Sequence, residues 1–284
     1  MDLAEATRAC ARLTKREARN FYYAFLSLPK RQRRAVYALY AFCRAADDAV
    51  DGLGTSEAKH DELARLRERL TKAAAGEPED GPDLALADAI ATFGVDPDDL
   101  ADVLAGMEMD LTLRRIETAD DLRRYCYHAA SAVGLATLPI LNGAVPPTDA
   151  MRDAAAELGL GMQFVNVLRD VDEDLERDRV YLPQEEMASH GVDEAMLQAR
   201  SMTAELRSLF ASHADRAAES LARGRLLLPL LPGSGRRCPW LLAEIYGRIL
   251  DRIRAADYDV FRARVALPRH EKFGLLLSSV WRKR

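Results

Sequence analysis

An all-α fold is predicted by three features of this chain. Apolar residues recur at helical spacing almost throughout, no segment shows the strict apolar–polar alternation of a strand, and Pro and Gly punctuate the ends of periodic stretches. The first strongly periodic stretch, residues 31–51, reads RQRRAVYALYAFCRAADDAVD. It repeats Val36, Leu39, Tyr40, Cys43 and Val50 at helix-like spacing and lies between Pro29 and the pair Gly52 and Gly54. Residues 56–75 form a highly charged surface helix opened by Ser56, and helices over 83–93 and 97–115 follow, separated by a turn at 94–98. Residues 118–141 are predicted as one helix, because Thr118 offers an N-cap and Asp120 and Asp121 sit in the favourable first turn; Pro139 is expected to kink it. Pro146-Pro147 opens a helix over 148–174 with Met162, Phe164, Val165, Val167, Leu168 and Val171 as apolar content, closed by a loop carrying Tyr181-Leu182-Pro183. Further helices are expected over 193–221, 223–230 and 239–256, and the mixed tail 262–284 ends in a short one. With no repeat and no low-complexity linker, residues 1–284 read as one domain of about ten helices.

Of 284 residues, 49% are apolar and 30% charged, which suits a globular protein with a sizeable core. A net charge of −5, with no basic stripe and no zinc-finger spacing, argues against nucleic acid as a partner. Cys10, Cys43, Cys126 and Cys238 lie far apart with no CxxC pair, which reads as free thiols in a reducing cytoplasm. The N-terminus is charged and amphipathic rather than a signal peptide. The most apolar runs, 132–145 and 226–231, are short of the ~20 residues a membrane span needs. Membrane contact is therefore expected only at the surface, where Trp281-Arg282-Lys283-Arg284 follows an apolar run and could rest on anionic lipid.

The chemistry concentrates in acidic helix ends. Asp47 and Asp51 are four residues apart, on one helix face and about 6 Å apart along the axis. Like charges at that spacing repel, and at a C-terminal helix end they also oppose the macrodipole. A hard cation such as Mg²⁺ would compensate them; a solvated acidic helix end is the plain alternative. Asp170 and Asp174 repeat the spacing after another apolar helix, with Asn166 and Gln163 one and two turns before Asp170. Two such motifs on separate long helices resemble two halves of one metal–diphosphate site. Arg44 and Arg169 lie beside them, and Arg179 and Tyr181 follow the second motif at once. An Arg fork suits phosphate oxygens, although Arg179 has Glu176 and Asp178 as ordinary loop partners. Tyr125 precedes a run of small residues, Ala129, Ala130, Ser131 and Gly134, which either leaves room for an apolar ligand or packs two helices closely. His128 reads as structural, since no second His falls at ligand spacing. The chain has no GxSxG, P-loop, HExxH or strand-borne GxGxxG, and Leu175 stands where an EF-hand loop needs Gly.

These stretches together resemble the squalene/phytoene synthases, the head-to-head prenyl transferases. The matching segments are Asn20-Phe21-Tyr22-Tyr23-Ala24-Phe25, Leu39 through Arg44 running into Asp47-Asp48-Ala49-Val50-Asp51, Tyr125 through Gly134, and Gln163 through Pro183. The resemblance implies an all-α isoprenoid-synthase helical bundle around a central apolar cavity. Asp47 and Asp51 would face Asp170 and Asp174 across its mouth and hold Mg²⁺, assisted by Asn166. Arg44, Arg169 and Arg179 would bind diphosphate, with Asn20, Asp48, Gln163 and Tyr181 in the same substrate-binding set. Tyr40 and Tyr125 would stand near the reacting carbons, Tyr125 as the catalytic one. Ala18 and Asn20 stand where the family carries a Ser-x-Ser pair. The likeness is greatest to bacterial enzymes of farnesyl diphosphate, the presqualene diphosphate synthases of hopanoid pathways and dehydrosqualene synthases. It implies condensation of two farnesyl diphosphates to presqualene diphosphate, and onward to squalene, with NADPH, or dehydrosqualene. The rival within the class is phytoene synthesis from two geranylgeranyl diphosphates. The rival outside it is a non-catalytic helical assembly protein on the same fold, which should lose motif carboxylates. A monomer or dimer is expected.

Overall fold

The computed structural model describes residues 2–79 and 81–281. Its helices are α1 (Leu3–Glu17), α2 (Arg19–Leu26), α3 (Lys30–Asp51), α4 (Ser56–Ala74), α5 (Gly81–Phe93), α6 (Pro97–Thr112), α7 (Ala119–Cys126), α8 (Ala132–Leu141), α9 (Asp149–Arg169), α10 (Val171–Glu176), α11 (Gln184–Ser189), α12 (Glu194–Gln198), α13 (Ala204–Gly224), α14 (Leu227–Leu230), α15 (Gly233–Ala255) and α16 (Arg269–Trp281). A π-helical turn, Tyr127–Ser131, joins α7 to α8. Among the described residues there is no strand, only an isolated bridge between Arg115 and Val180. The all-α expectation holds.

Helix starts follow local chemistry. Asp2 and Glu5 form a reciprocal capping box at α1. Thr118, Thr148, Asp193 and Thr203 each accept a hydrogen bond from a backbone N–H in the first turn of the helix they open. At α4 the cap is Thr55, one residue before the expected Ser56.

Three stretches expected to be continuous are interrupted. The 118–141 helix contains the π-turn, wedged between two close backbones. A Cβ on Gly106 of α6 would lie 2.9 Å from the His128 carbonyl carbon, and one on Gly159 of α9 would lie 2.6 Å from Ser131 Cα. Ser131 Oγ also donates to the Ala156 carbonyl at 2.7 Å. Pro139 sits inside α8, which runs on through it. The 148–174 helix turns at Asp170 (φ −101°, ψ 13°), where α9 ends and α10 begins. The turn keeps the helical ladder, because Asp170 N still donates to Asn166 O and Asp174 N to Asp170 O, both at 2.9 Å. The 193–221 stretch divides into α12 and α13 around Arg200 (φ 50°) and the new cap Thr203. The 223–230 helix shrinks to α14, while α15 begins earlier than expected, at Gly233.

Helix α9 is the axis of the bundle. Leu158 through Met162 are buried at consecutive positions, so every side of the helix is covered. Its main partner is α13, and glycines permit the approach: a Cβ on Gly161 would lie 2.6 Å from Leu221 N, and one on Gly224 would lie 2.5 Å from Leu158 Cα. His213 of α13, fully buried, sits with Nε2 3.2 Å from the Phe164 carbonyl of α9. Burial, with Arg216 nearby, pushes its pKa down to about 3, so the ring is neutral. All four cysteines are free thiols. No described helix is long and apolar enough to cross a membrane. Arg282-Lys283-Arg284, the expected lipid contact, lie outside the described residues.

Gly159→Ala should force α9 away from the π-turn. Overpacking of this kind costs about 1–3 kcal/mol, so a thermal melt should drop by roughly 2–10 °C. An unchanged melting temperature would show that the π-turn yields freely.

Candidate active site

Three cavities meet where the end of α3 approaches the second half of α9, and Asp47 and Asn166 line all three. The first, about 330 Å³, is polar: Asp47, Asp51, Asp170 and Asp174 line it with Gln163, Asn166, Tyr125, Arg179 and Tyr181. The second, about 630 Å³, is rich in cations, with Lys15, Arg16, Arg169, Arg264, Arg269 and Lys272 around Asn20, Tyr40 and Tyr246. The third, about 350 Å³, is largely apolar and runs inward along Ala129, Ala130, Val133 and Gly134 to Leu227, Cys238 and Leu242. The small residues after Tyr125 therefore do both things expected of them. They line a chamber, and Gly134 packs closely enough that a Cβ would lie 3.3 Å from the Ala155 carbonyl.

Helix geometry places the carboxylates. Asp47 and Asp51 close α3, one turn apart, and Asp170 and Asp174 keep helical spacing across the turn after α9. Burial, reinforced by Asp51 and Asp110 and only partly offset by Arg44, pushes the Asp47 carboxyl up to about 6. Burial and then Asp170 push Asp174 up to about 7. Asp170 behaves oppositely. Burial raises it, but hydrogen bonds from Arg169 and Arg264 outweigh that and leave it below the ordinary range. Both guanidinium Nε atoms donate to its Oδ1 at 2.8 Å.

A carboxylate absent from the sequence reading completes the mouth. Asp110 of α6 accepts from the Tyr181 hydroxyl at 2.8 Å and lies 3.5 Å from the Tyr125 hydroxyl, the long limit of a hydrogen bond. The two tyrosine rings stack at 4.8 Å between centroids. Arg179 donates to the Asp110 carbonyl at 3.1 Å and not to Glu176 or Asp178; Asp178 is taken by Arg115. Backbone bonds from Val180 N to Arg114 O and Gln184 N to Ile116 O, both 2.9 Å, pin the loop that carries Arg179 and Tyr181. Burial, then the Asp110 charge, raises the Tyr125 phenol well above its ordinary pKa. Burial likewise pushes Tyr40 up to about 12.

Arg44 and Asp48 are not brought to these cavities. They pair with each other across one turn of α3, and Asp48 borders a separate small cleft beside Leu66 and Arg69. Sequence reasoning also missed Arg264 and Tyr246. Arg264 lies on irregular chain with no periodicity, and the Tyr246 hydroxyl engages the side chains of Asn166 and Asn20 from α15. Asp110 carried no distinctive signal, since it is one of five acidic residues on α6.

The donor set fits a hard divalent cation. All the groups are oxygen donors, two carboxyls are held partly protonated for want of compensation, and the buried Asn166 Oδ1 has no hydrogen-bond partner. Its Nδ2 is engaged with Gln163 Oε1 at 3.0 Å, and the residue lines the carboxylates' cavity. Among the described residues no three His, Cys, Asp or Glu side chains close on a single point. Mg²⁺ needs only one or two carboxylates when waters and phosphates fill its other positions.

An all-helical shell, an apolar chamber and carboxylates from two facing helices at its mouth define the isoprenoid-synthase class of fold. The chain belongs to the squalene/phytoene synthase family, a family of prenyl transferases, whose sequence model matches residues 14–271. It is 36% identical over 280 residues to a 15-cis-phytoene synthase of Synechococcus elongatus, covering 95% of this chain and 91% of that one. It is 36% identical to the chloroplastic phytoene synthase of Daucus carota, covering 95% of this chain and 69% of that one. A crystal structure of a dehydrosqualene synthase superposes with a TM-score of 0.90 at 32% identity, covering 98% and 96% of the two chains. The squalene synthase HpnC from Alicyclobacillus acidocaldarius gives 0.85 at 29%, covering 90% and 95%.

In chelator, folded Asp174 keeps its proton up to about pH 7, whereas the unfolded chain releases it near pH 4. Stability from this group is therefore lost as pH rises through that window. Asp174→Asn should melt with the parent near pH 4 and above it at pH 8, by about 5 °C. A variant that melts lower at pH 8 would show that the charge is already compensated.

Proposed function

We propose that this protein joins two farnesyl diphosphates head to head, giving presqualene diphosphate. The observation that carries the reading is the branching of the cavities: two polar compartments, one of carboxylates and one of cations, open on a single apolar chamber at Asp47 and Asn166. Two diphosphates can be held apart while their prenyl chains lie side by side. Asp47, Asp51, Asp170 and Asp174, with Asn166, would hold Mg²⁺, which when bound supplies charge neutralisation on the departing diphosphate. Arg169 and Arg264, already clustered on Asp170, face the cationic compartment and can turn donors to phosphate oxygens. The chamber walls exclude water from the developing carbocation. The C2–C3 double bond of one chain attacks C1 of the other, the diphosphate leaves with the C–O bonding pair, and loss of a C–H proton closes a cyclopropane. Tyr125 lines both the acidic mouth and the chamber, and its raised pKa keeps the hydroxyl protonated as a donor there. Arg44, paired with Asp48, would act through its charge on Asp47 and Tyr40 rather than by lining a cavity.

Farnesyl is favoured by likeness to solved dehydrosqualene and squalene synthases. The second reading, two geranylgeranyl diphosphates to phytoene, is favoured by the names of the curated relatives. Incubation with Mg²⁺ and each labelled substrate, with and without NADPH, followed by product identification separates the two. A C30 product supports the first reading, a C40 product the second, and no product from either would overturn the prenyl-transfer reading. In the same assay Asp47→Asn should keep its fold, because a destabilising buried charge is removed, yet lose at least about a hundredfold in turnover. Full activity of this variant, or activity in excess chelator, would remove the metal from the mechanism.

Tyr125→Phe keeps the stacked ring and loses the hydroxyl's 3.5 Å contact with Asp110 and its interaction with the Tyr181 hydroxyl, so its melting temperature should move by no more than a few degrees. A transition-state role predicts kcat lowered by about tenfold or more with KM nearly unchanged. Parental kcat would return Tyr125 to a packing role.

A further inference from the structure

Between Glu219 and Glu244 the chain carries four arginines and no acidic residue, although the whole protein has a net charge of −5. This stretch spans the end of α13, all of α14 and the start of α15. It also turns large apolar side chains outward: Leu226 is 64% exposed and Leu230 46%, with Pro229 exposed beside them. Leu227, by contrast, is buried and lines the apolar chamber with Cys238, Pro239 and Leu242. The same short segment thus turns one leucine into the chamber and its neighbours outward. Leu141, at the end of α8, abuts α15 so closely that Gly235 has no room for a Cβ, and four residues beyond it Val145 is 60% exposed.

The charges on this face are not self-cancelling. Arg223 pairs with Glu219, and Arg225 with Glu244. Arg236 donates to the carbonyls of Leu231 and Pro229, and neither Arg236 nor Arg237 has a carboxylate partner among the described residues. Exposed leucines beside uncompensated guanidinium groups, with no carboxylate in the intervening chain, match the chemistry of an anionic bilayer surface. The leucines enter the headgroup–acyl boundary while arginines meet phosphates. A face meant for a neutral or cationic partner would gain nothing from this charge balance.

We infer that the α13–α15 connection, through Leu226, Leu230, Arg236 and Arg237, docks the protein on a bilayer rich in anionic lipid. The apolar end of the chamber then lies against the membrane, while the acidic mouth formed by α3 and α9 opens elsewhere. A long apolar product would move from chamber to lipid without crossing water; that consequence rests on the prenyl-transfer reading, whereas the docking surface does not. A second exposed pair, Phe273 and Leu277 of α16, has a different setting. Its helix carries Glu271, paired with Arg252, and Lys272 of the cationic compartment.

Flotation of the full chain with vesicles tests the inference and needs no turnover. The parent should float with phosphatidylglycerol-containing vesicles and not with pure phosphatidylcholine. Leu226→Ser/Leu230→Ser should reduce recovery by about tenfold, and Arg237→Gln by about fivefold, both at a parental melting temperature. Undiminished flotation of the leucine variant overturns the proposal. So does loss on Phe273→Ser/Leu277→Ser in its place, which would move the contact to α16. A lipid-free parental dimer that the leucine variant abolishes, seen by sedimentation equilibrium, also overturns it, because a second copy would then cover this face.

Discussion

Carboxylates held out of bulk water repel one another, and the organisation of this protein turns on how that repulsion is distributed. Asp47 and Asp51 stand at the wrong end of α3 for its dipole, opposite Asp170 and Asp174, with Asp110 behind them. Compensation is uneven. Asp170 is gripped by Arg169 and Arg264, and Asp110 receives the Tyr181 hydroxyl, so both have partners in the folded chain. Asp47 and Asp174 are left to hold protons well above their ordinary pKa. Both line the polar cavity, together with Asn166, whose buried Oδ1 has no hydrogen-bond partner.

Helix α9 makes that arrangement possible. Covered on every side, it can be held closely only because Gly159 and Gly161 let the π-turn and α13 approach its backbone. Its inner face lines the apolar chamber through Leu158, Gly159 and Met162, while its last two turns present Gln163, Asn166 and Arg169 to the polar compartments. The same element thus builds the dry space and the charged rim. A shift of α9 would disturb both together, which ties packing energetics directly to chemistry.

The π-turn has a related role. By widening the chain between α7 and α8 it allows Tyr125 to stack on Tyr181 at the rim while Ala129 and Ala130 face the chamber. Extra residues of this type recur at functional sites because they re-aim neighbouring side chains without ending a helix. Here the turn is held by Gly106, Gly159 and the Ser131 hydroxyl.

Much of this was legible in the sequence because it depends on short-range periodicity. Helical spacing of apolar residues announced the fold class, and the four-residue spacing of Asp47 with Asp51 and of Asp170 with Asp174 announced two acidic faces whose repulsion needed an explanation. Gln163 and Asn166 shared such a face by arithmetic alone, and the structure brings all of them to one cavity. What the tertiary structure decided depends on contacts between distant segments. Asp110, Tyr246 and Arg264 enter the site from segments whose local sequence does not single them out, and Arg44 pairs with Asp48 across one turn, lining no cavity while its charge still bears on Asp47. The interruptions at Tyr127–Ser131 and Asp170 follow the same rule. Each keeps the apolar periodicity that a sequence displays, and each is set by the backbone or guanidinium group that packs against it, which a linear pattern does not contain.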